Sequence, residues 1–125
     1  MTAQVHVHSF GYGHAPPPEA DMTLDLRHRF RNPHTDPAMR ELTGLDDRVR
    51  DHVLDTPGIP AVVAAAIQLA IGVTSQGLDC DLAVGCVGGR HRSVAAAAEI
   101  SRGLEAVGVT VTLEHRDIAL PVIQK

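Results

Sequence analysis

Leu82-Ala83-Val84-Gly85-Cys86-Val87-Gly88-Gly89-Arg90-His91-Arg92-Ser93-Val94 is the stretch that decides the fold of this chain. A short apolar strand is expected over residues 81–85; a glycine-rich turn ends it, and a helical pattern follows over about residues 92–107. Val94, Ala97, Ala98, Ser101 and Leu104 share one helical face, Glu99 and Arg102 pair on another, and Gly108 stands where a left-handed cap belongs. Val109, Val111 and Leu113 then alternate with Thr110, Thr112 and Glu114, the period of a closing strand. Strand, turn, helix and strand over residues 82–115 make a βαβ unit, so its two strands are expected to be parallel with a right-handed crossover.

Working towards the N-terminus, residues 60–73 are apolar except for Gln68. They predict a helix with Pro60 in its first turn and Gly72 or Gly77 at its end. Lacking a polar face, this helix is expected to be buried on more than one side, in the core or in a subunit contact. A shorter helix is expected over residues 46–54, stopped by Pro57-Gly58, and another near residues 39–41 behind Asp36-Pro37. Leu24, Leu26, His28 and Phe30 alternate with Asp25, Arg27, Arg29 and Arg31, predicting a strand over residues 23–31 with a basic outer edge. Val5 and Val7 alternate with His6 and His8 in a first strand over residues 4–10, and a loop with Gly11, Gly13 and Pro16-Pro17-Pro18 follows. The fold class expected is α/β: one domain over residues 1–125, a small mainly parallel sheet flanked by helices, with the ligand site at the carboxyl ends of the central strands.

Composition narrows the functions. With 11 Lys and Arg against 15 Asp and Glu, the net charge of −4 excludes a protein that coats nucleic acid indiscriminately. Hydrophobic residues make up 44% and aromatics only 2%, so the core must be aliphatic. The run over residues 60–73 is shorter than the roughly 18 residues of a membrane span, so no membrane partner is expected. Two cysteines, Cys80 and Cys86, do not make a disulfide framework, and no signal segment opens the chain; a reducing cytoplasm is the expected location.

The chemistry converges on residues 85–93. Glycines let amide N–H groups turn inward, and the helix start adds unpaired amides and a positive dipole end, which together make an anion socket. Arg90, His91 and Arg92 add charge and donors; Arg92 can fork onto two phosphate oxygens, and Ser93 can cap the helix or donate to the anion. A glycine turn whose arginines face solvent is the plain alternative, outweighed here because glycine, cysteine, serine and basic residues meet at one strand end.

Gly85-Cys86-Val87-Gly88-Gly89-Arg90-His91-Arg92-Ser93-Val94 resembles the Gly-Cys-x-Gly-Gly-x-His-Arg-Ser-Val loop of the RapZ family's C-terminal domain. Ser9-Phe10-Gly11-Tyr12 with His14, Ala20-Asp21, Asp25 and Arg27, Asn32-Pro33-His34, Leu42-Thr43-Gly44-Leu45-Asp46 and His115-Arg116 follow in the family's order, over nearly the whole chain. The resemblance implies an α/β domain that senses glucosamine-6-phosphate and, in the best-known relatives, binds small regulatory RNAs as an oligomer. It implies a ligand pocket of His14, Cys86, Gly88, Gly89, His91 and Arg92, with Asp21 and Asn32 nearby; Arg90 and Ser93 of the loop complete the candidate set. Partners implied are a phosphorylated sugar, a second copy of the chain, and structured RNA or a regulatory protein; no cofactor or metal is expected. Three departures stand out. Val87 replaces the family's usual threonine, no Gly-x4-Gly-Lys-Ser/Thr nucleotide loop occurs, and residues 116–125 carry only Arg116, Asp117 and Lys125 where well-known members have a basic tail.

The alternative is a cysteine-dependent phosphatase. Cys86, five residues and Arg92-Ser93 fit Cys-x5-Arg-Ser, and Gly88 stands where the low-molecular-weight class also has glycine. Cys86 would attack phosphorus, Arg92 would hold the equatorial oxygens, and Asp36, followed by Pro37, would be the acid. Chain order opposes it, because in that class the loop begins the chain. Among lesser candidates, His6 and His8 could meet His14 or His115 around zinc, but no metal-ligand spacing supports them. Cys80 reads as a buried filler, and of His28, His52 and His115 the last is expected nearest the loop, on a strand running beside the loop's own.

Overall fold

The computed structural model describes residues 3–28 and 37–123. Its first strand, β1 (Gln4–Gly11), buries Val5, Val7 and Ser9 completely, whereas Gln4, His6 and His8 between them remain half-buried. That alternation sets one face of β1 against apolar partners. β3 (Cys80–Cys86) lies parallel on one side, pairing Val5 with Cys80, Val7 with Leu82, Ser9 with Val84 and Gly11 with Cys86. β4 (Thr110–His115) lies parallel on the other side, pairing Val5 with Val111 and Ser9 with His115. β2 (Met22–Asp25) completes the sheet beyond β3, giving the order β2-β3-β1-β4 with all strands parallel.

Val5, Val7, Cys80, Leu82, Val84 and Cys86 share one sheet face and form a single core with residues of three helices. These are α1 (Asp47–Leu54), α2 (Ile59–Thr74) and α3 (Arg92–Ala106). α3 contributes Ala95, Ala96, Ala97, Ile100 and Leu104, and its alanines let the helix axis approach the strands. α2 presses equally close on α3: a Cβ at Gly103 would come within 2.5 Å of the Ile67 side chain. Gly108 ends the α3 connection in the left-handed conformation, with φ at 85°. Because the strands are parallel, all four deliver their carboxyl ends to one rim.

Several expectations change. The second strand stops at Asp25, since its carboxylate accepts the Arg27 N–H at 2.9 Å and the Arg27 guanidinium as well, turning the chain out of line. Residues 39–41 form turns rather than a helix. Within this chain α2 is buried along one face, by Ile59, Val63, Ala66 and Ala70, while Ala61, Ala64, Ala65 and Leu69 face outward, so the core alone does not cover it. β4 does not run beside β3, because β1 lies between them: the fully buried valines of β1 take the middle, and β4, with Thr110, Thr112 and Glu114 exposed, takes the edge. Among the described residues, no single helix is long and apolar enough to cross a membrane.

Candidate functional site

The rim gathers residues 11–14 after β1, 26–28 after β2, 87–91 after β3 and 116–117 after β4. Its centre is a backbone contact. A Cβ at Gly11 would lie 2.5 Å from the Gly88 carbonyl carbon and 2.7 Å from the Gly89 amide nitrogen, and one at Gly89 would lie 2.5 Å from the Gly11 nitrogen. Gly89 also has φ at 68°, so steric room and chain direction both demand glycine there. Gly88 differs: its φ is not left-handed and a Cβ there would meet nothing within 4 Å. Its missing side chain leaves open space above the loop.

That space lies beside the start of α3. Among the described residues, no carbonyl or side chain accepts a hydrogen bond from the amides of Gly88, Gly89, Arg90, His91 or Ser93. α3 has no side-chain cap; the Ser93 hydroxyl lies instead 3.2 Å from the Cys86 sulfur, deep in the site. Cys86 is 3% exposed and Arg92 2%. The Arg92 guanidinium donates from Nη1 to the carbonyls of Leu26 at 2.6 Å and Arg27 at 3.1 Å, fastening the end of β2 to the first turn of α3. Burial draws its pKa down, against the opposing influence of Cys86 and Asp25. Unsatisfied loop amides beside a buried guanidinium are a setting in which a phosphate gains charge-assisted hydrogen bonds.

The other two basic side chains of the loop turn to the 39–42 segment. Arg90 donates through Nε to the Leu42 carbonyl at 3.0 Å, through Nη2 to the Glu41 carbonyl, and through Nη1 to the Leu120 carbonyl at 3.4 Å. His91 donates from Nε2 to the carbonyls of Met39 and Arg40, at 3.0 and 3.1 Å. Its burial lowers its pKa, partly countered by those carbonyls. Gly44 closes the same contact, since a Cβ there would meet the Ala95 nitrogen and the His91 oxygen at 2.5 Å. Arg90 and His91 therefore strap the 39–44 segment to the loop through their side chains.

His14 stands across the rim. Its amide donates to the Gly11 carbonyl at 3.1 Å, and its Nε2 is buried with no partner among the described residues. Nearby Asp117, 3% exposed, accepts the Gly11 N–H at 2.7 Å and pairs with Arg116 at 2.8 Å. Burial alone would raise the Asp117 pKa; the Arg116 and Gly11 hydrogen bonds and the proximity of His14 bring it below the usual carboxylate range. On the sheet face away from the helices, Tyr12 meets Phe10 edge-on at 4.8 Å and carries the Arg27 guanidinium 3.7 Å above its ring.

The candidates therefore divide. His14, Cys86, Gly88, Gly89, Arg92 and Ser93 come together at the rim, with Arg90 and His91 contributing backbone. Asp21 does not join them. It pairs with Asp81 at the amino end of β3, its carboxylate accepting the Asp81 N–H at 2.8 Å. Cys86 lies five steps along the strand from Asp81, about 16 Å at the rise of an extended chain. A chain entering a parallel strand must first return to the opposite end of the sheet, which is why a residue just before β2 lies far from the rim. Asn32 and the proposed acid Asp36 lie outside the described residues, as do Phe30, Arg29 and Arg31. His115 bonds through Nδ1 to the Ser9 hydroxyl at 2.6 Å, on the helix-covered face, and burial lowers its pKa. Cys80 is fully buried and both cysteines are free. His6 and His8 point to the uncovered face, His8 lying 3.7 Å from Asp81, and among the described residues no group of three His, Cys, Asp or Glu side chains could hold a metal ion. Asp117 was not legible as part of the site, its only signal being a lone acid immediately after His115-Arg116.

Residues 3–119 match the family described as the RapZ C-terminal domain. The chain belongs to this family. RapZ-type relatives include a nucleotide-binding protein of Corynebacterium jeikeium, 40% identical over 122 residues, which cover 94% of this chain and 42% of that protein. A nucleotide-binding protein of Thermobifida fusca is 41% identical over 120 residues, covering 92% of this chain and 40% of the relative. One of Thermus thermophilus is 44% identical over 114 residues, covering 88% and 41%. The chain thus spans about two-fifths of the length of the curated RapZ-type relatives it matches.

Proposed function

We propose that this domain binds the phosphate group of a phosphorylated aminosugar at the rim, with glucosamine-6-phosphate, the ligand implied by the RapZ resemblance, as the preferred compound, and that it acts as a sensing module rather than an enzyme. The observation that carries the reading is the run of loop amides at Gly88, Gly89, Arg90, His91 and Ser93 that no described group satisfies, beside open space at Gly88. In this reading the amides and Arg92 hold the phosphate, and His14 donates from Nε2 to a phosphate or sugar oxygen. Nucleotides share the phosphate, and the relatives are named for binding them, so ATP belongs in the same experiment.

Titration calorimetry with glucosamine-6-phosphate, glucose-6-phosphate, inorganic phosphate and ATP tests it. Saturable heat is expected with the aminosugar phosphate, weaker with the others, and lost in Arg92→Ala. No heat with any of the four overturns the reading. Hydrolysis of p-nitrophenyl phosphate that disappears in Cys86→Ser would instead establish the phosphatase alternative.

A further inference from the structure

Asp117 presents a problem the fold does not explain. A buried carboxylate costs far more than a neutral acceptor, and a serine or asparagine oxygen could equally take the Gly11 N–H. The charge itself therefore needs an account. Three contacts supply one. Arg116 grips the carboxylate through Nε, at 3.0 and 3.1 Å to its two oxygens, and through Nη2 at 2.8 Å. The same guanidinium donates to the carbonyls of Pro16 at 2.6 Å and Ala15 at 3.2 Å, so the Arg116–Asp117 pair holds both ends of the segment that carries His14. On its other side Asp117 abuts the loop: a Cβ at Gly89 would come within 3.0 Å of the Asp117 Cβ.

We propose that Asp117, fixed by Arg116, is a positioning residue for the rim site, holding His14 and the backbone of Gly88 and Gly89 in register around the bound phosphate. This rests on the ligand reading above. Asp117 reaches no ligand in this account. Its carboxylate orients the Gly11 amide, and through Gly11 the turn whose carbonyl accepts the His14 N–H. It also sets a negative charge near the His14 imidazole, whose Nε2 is buried and unsatisfied among the described residues.

The test is Asp117→Asn, which keeps an oxygen for the Gly11 N–H and removes the charge. Three measurements are made on it: the far-UV spectrum, calorimetry with glucosamine-6-phosphate and inorganic phosphate, and the imidazole ¹⁵N resonances, with His14 assigned by comparison with His14→Gln. The variant is expected to remain folded, to shift the His14 resonances before ligand is added, and to bind glucosamine-6-phosphate at least tenfold more weakly. Asp117→Glu is expected to recover part of the affinity. Binding within twofold of the unmutated protein overturns the proposal, as does weaker binding with His14 resonances unmoved, which would leave Asp117 a purely structural role. If Asp117→Asn does not fold, Asp117→Glu alone decides, through the same affinity and resonance comparison. Failure of the unmutated protein to bind any phosphate compound removes the ligand reading and this proposal together, whereas binding by protein and variant alike removes only this one.

Discussion

Gly88 and Gly89 are neighbours with opposite reasons to be glycine, and exchanging each for alanine separates the site from the scaffold. At Gly89, alanine would have to hold φ at 68°, which costs roughly 1–2 kcal/mol. Its Cβ would also meet the Gly11 nitrogen at 2.5 Å and the Phe10 carbonyl carbon at 2.7 Å, backbone atoms that cannot swing away. Such overpacking adds about 1–3 kcal/mol. For 125 residues the unfolding entropy makes each kcal/mol worth about 4 °C, so the expected loss in Tm is about 8–20 °C. At Gly88, alanine finds no atom within 4 Å and no left-handed backbone. There the expected change is neutral or a gain of about 0.4–1 kcal/mol from a stiffer unfolded chain. The same methyl group would occupy the space assigned to the anion. Losing even one charge-assisted hydrogen bond, at about 1.5–3 kcal/mol, weakens glucosamine-6-phosphate binding at least about tenfold. Thermal unfolding monitored by circular dichroism, paired with calorimetry, reads both effects. A Gly88→Ala protein that binds as tightly as the original, or one that melts as early as Gly89→Ala, would refute the assignment of roles.

Arg90→Ala removes donors to three carbonyls and should lower stability by about 1–3 kcal/mol in a urea titration, while weakening ligand binding less than Arg92→Ala does. Acid should destabilise the fold in two stages. His91 and His115 have folded pKa values lowered by burial, so the unfolded chain takes up protons first, and stability falls as pH drops below about 6.5. Asp25, held low mainly by its hydrogen bond to Arg27, and Asp117, held low by Arg116 despite its burial, contribute stability that is present above about pH 3.9 and lost as pH falls through their lower folded values. Urea midpoints measured from pH 8 to pH 3 check the order, and His91→Gln should flatten the first stage.

The strands and helices that carry strong periodicity were legible in the residues. Val5 and Val7, the apolar run after Pro60, and the helix between Arg92 and Gly108 each repeat one pattern long enough to select one structure. What escaped were features set by other parts of the chain. The Asp25 carboxylate accepts the Arg27 amide and ends β2 after four residues, although the alternation continues in the sequence. Arg90 and His91 look like ligand groups beside a glycine loop, yet carbonyls from the 39–42 turn claim both, and nothing local signals where that turn lies. Strand order escaped for the same reason, since the intervening position of β1 depends on long-range pairing. The candidate site itself was legible where glycine, cysteine, serine and arginine converge, and silent at Asp117, whose significance depends on Arg116 and a loop some hundred residues earlier.

Placing four chain exits along one border, with the aliphatic interior behind it, divides the molecule's tolerance for change. Under the proposed reading, replacements at Val87, Gly88 or His14 would alter what is recognised without reaching the interlocked valines and alanines, while replacements among those would alter cohesion first. On that reading, selection can retune chemical preference one exit at a time and leave the architecture untouched.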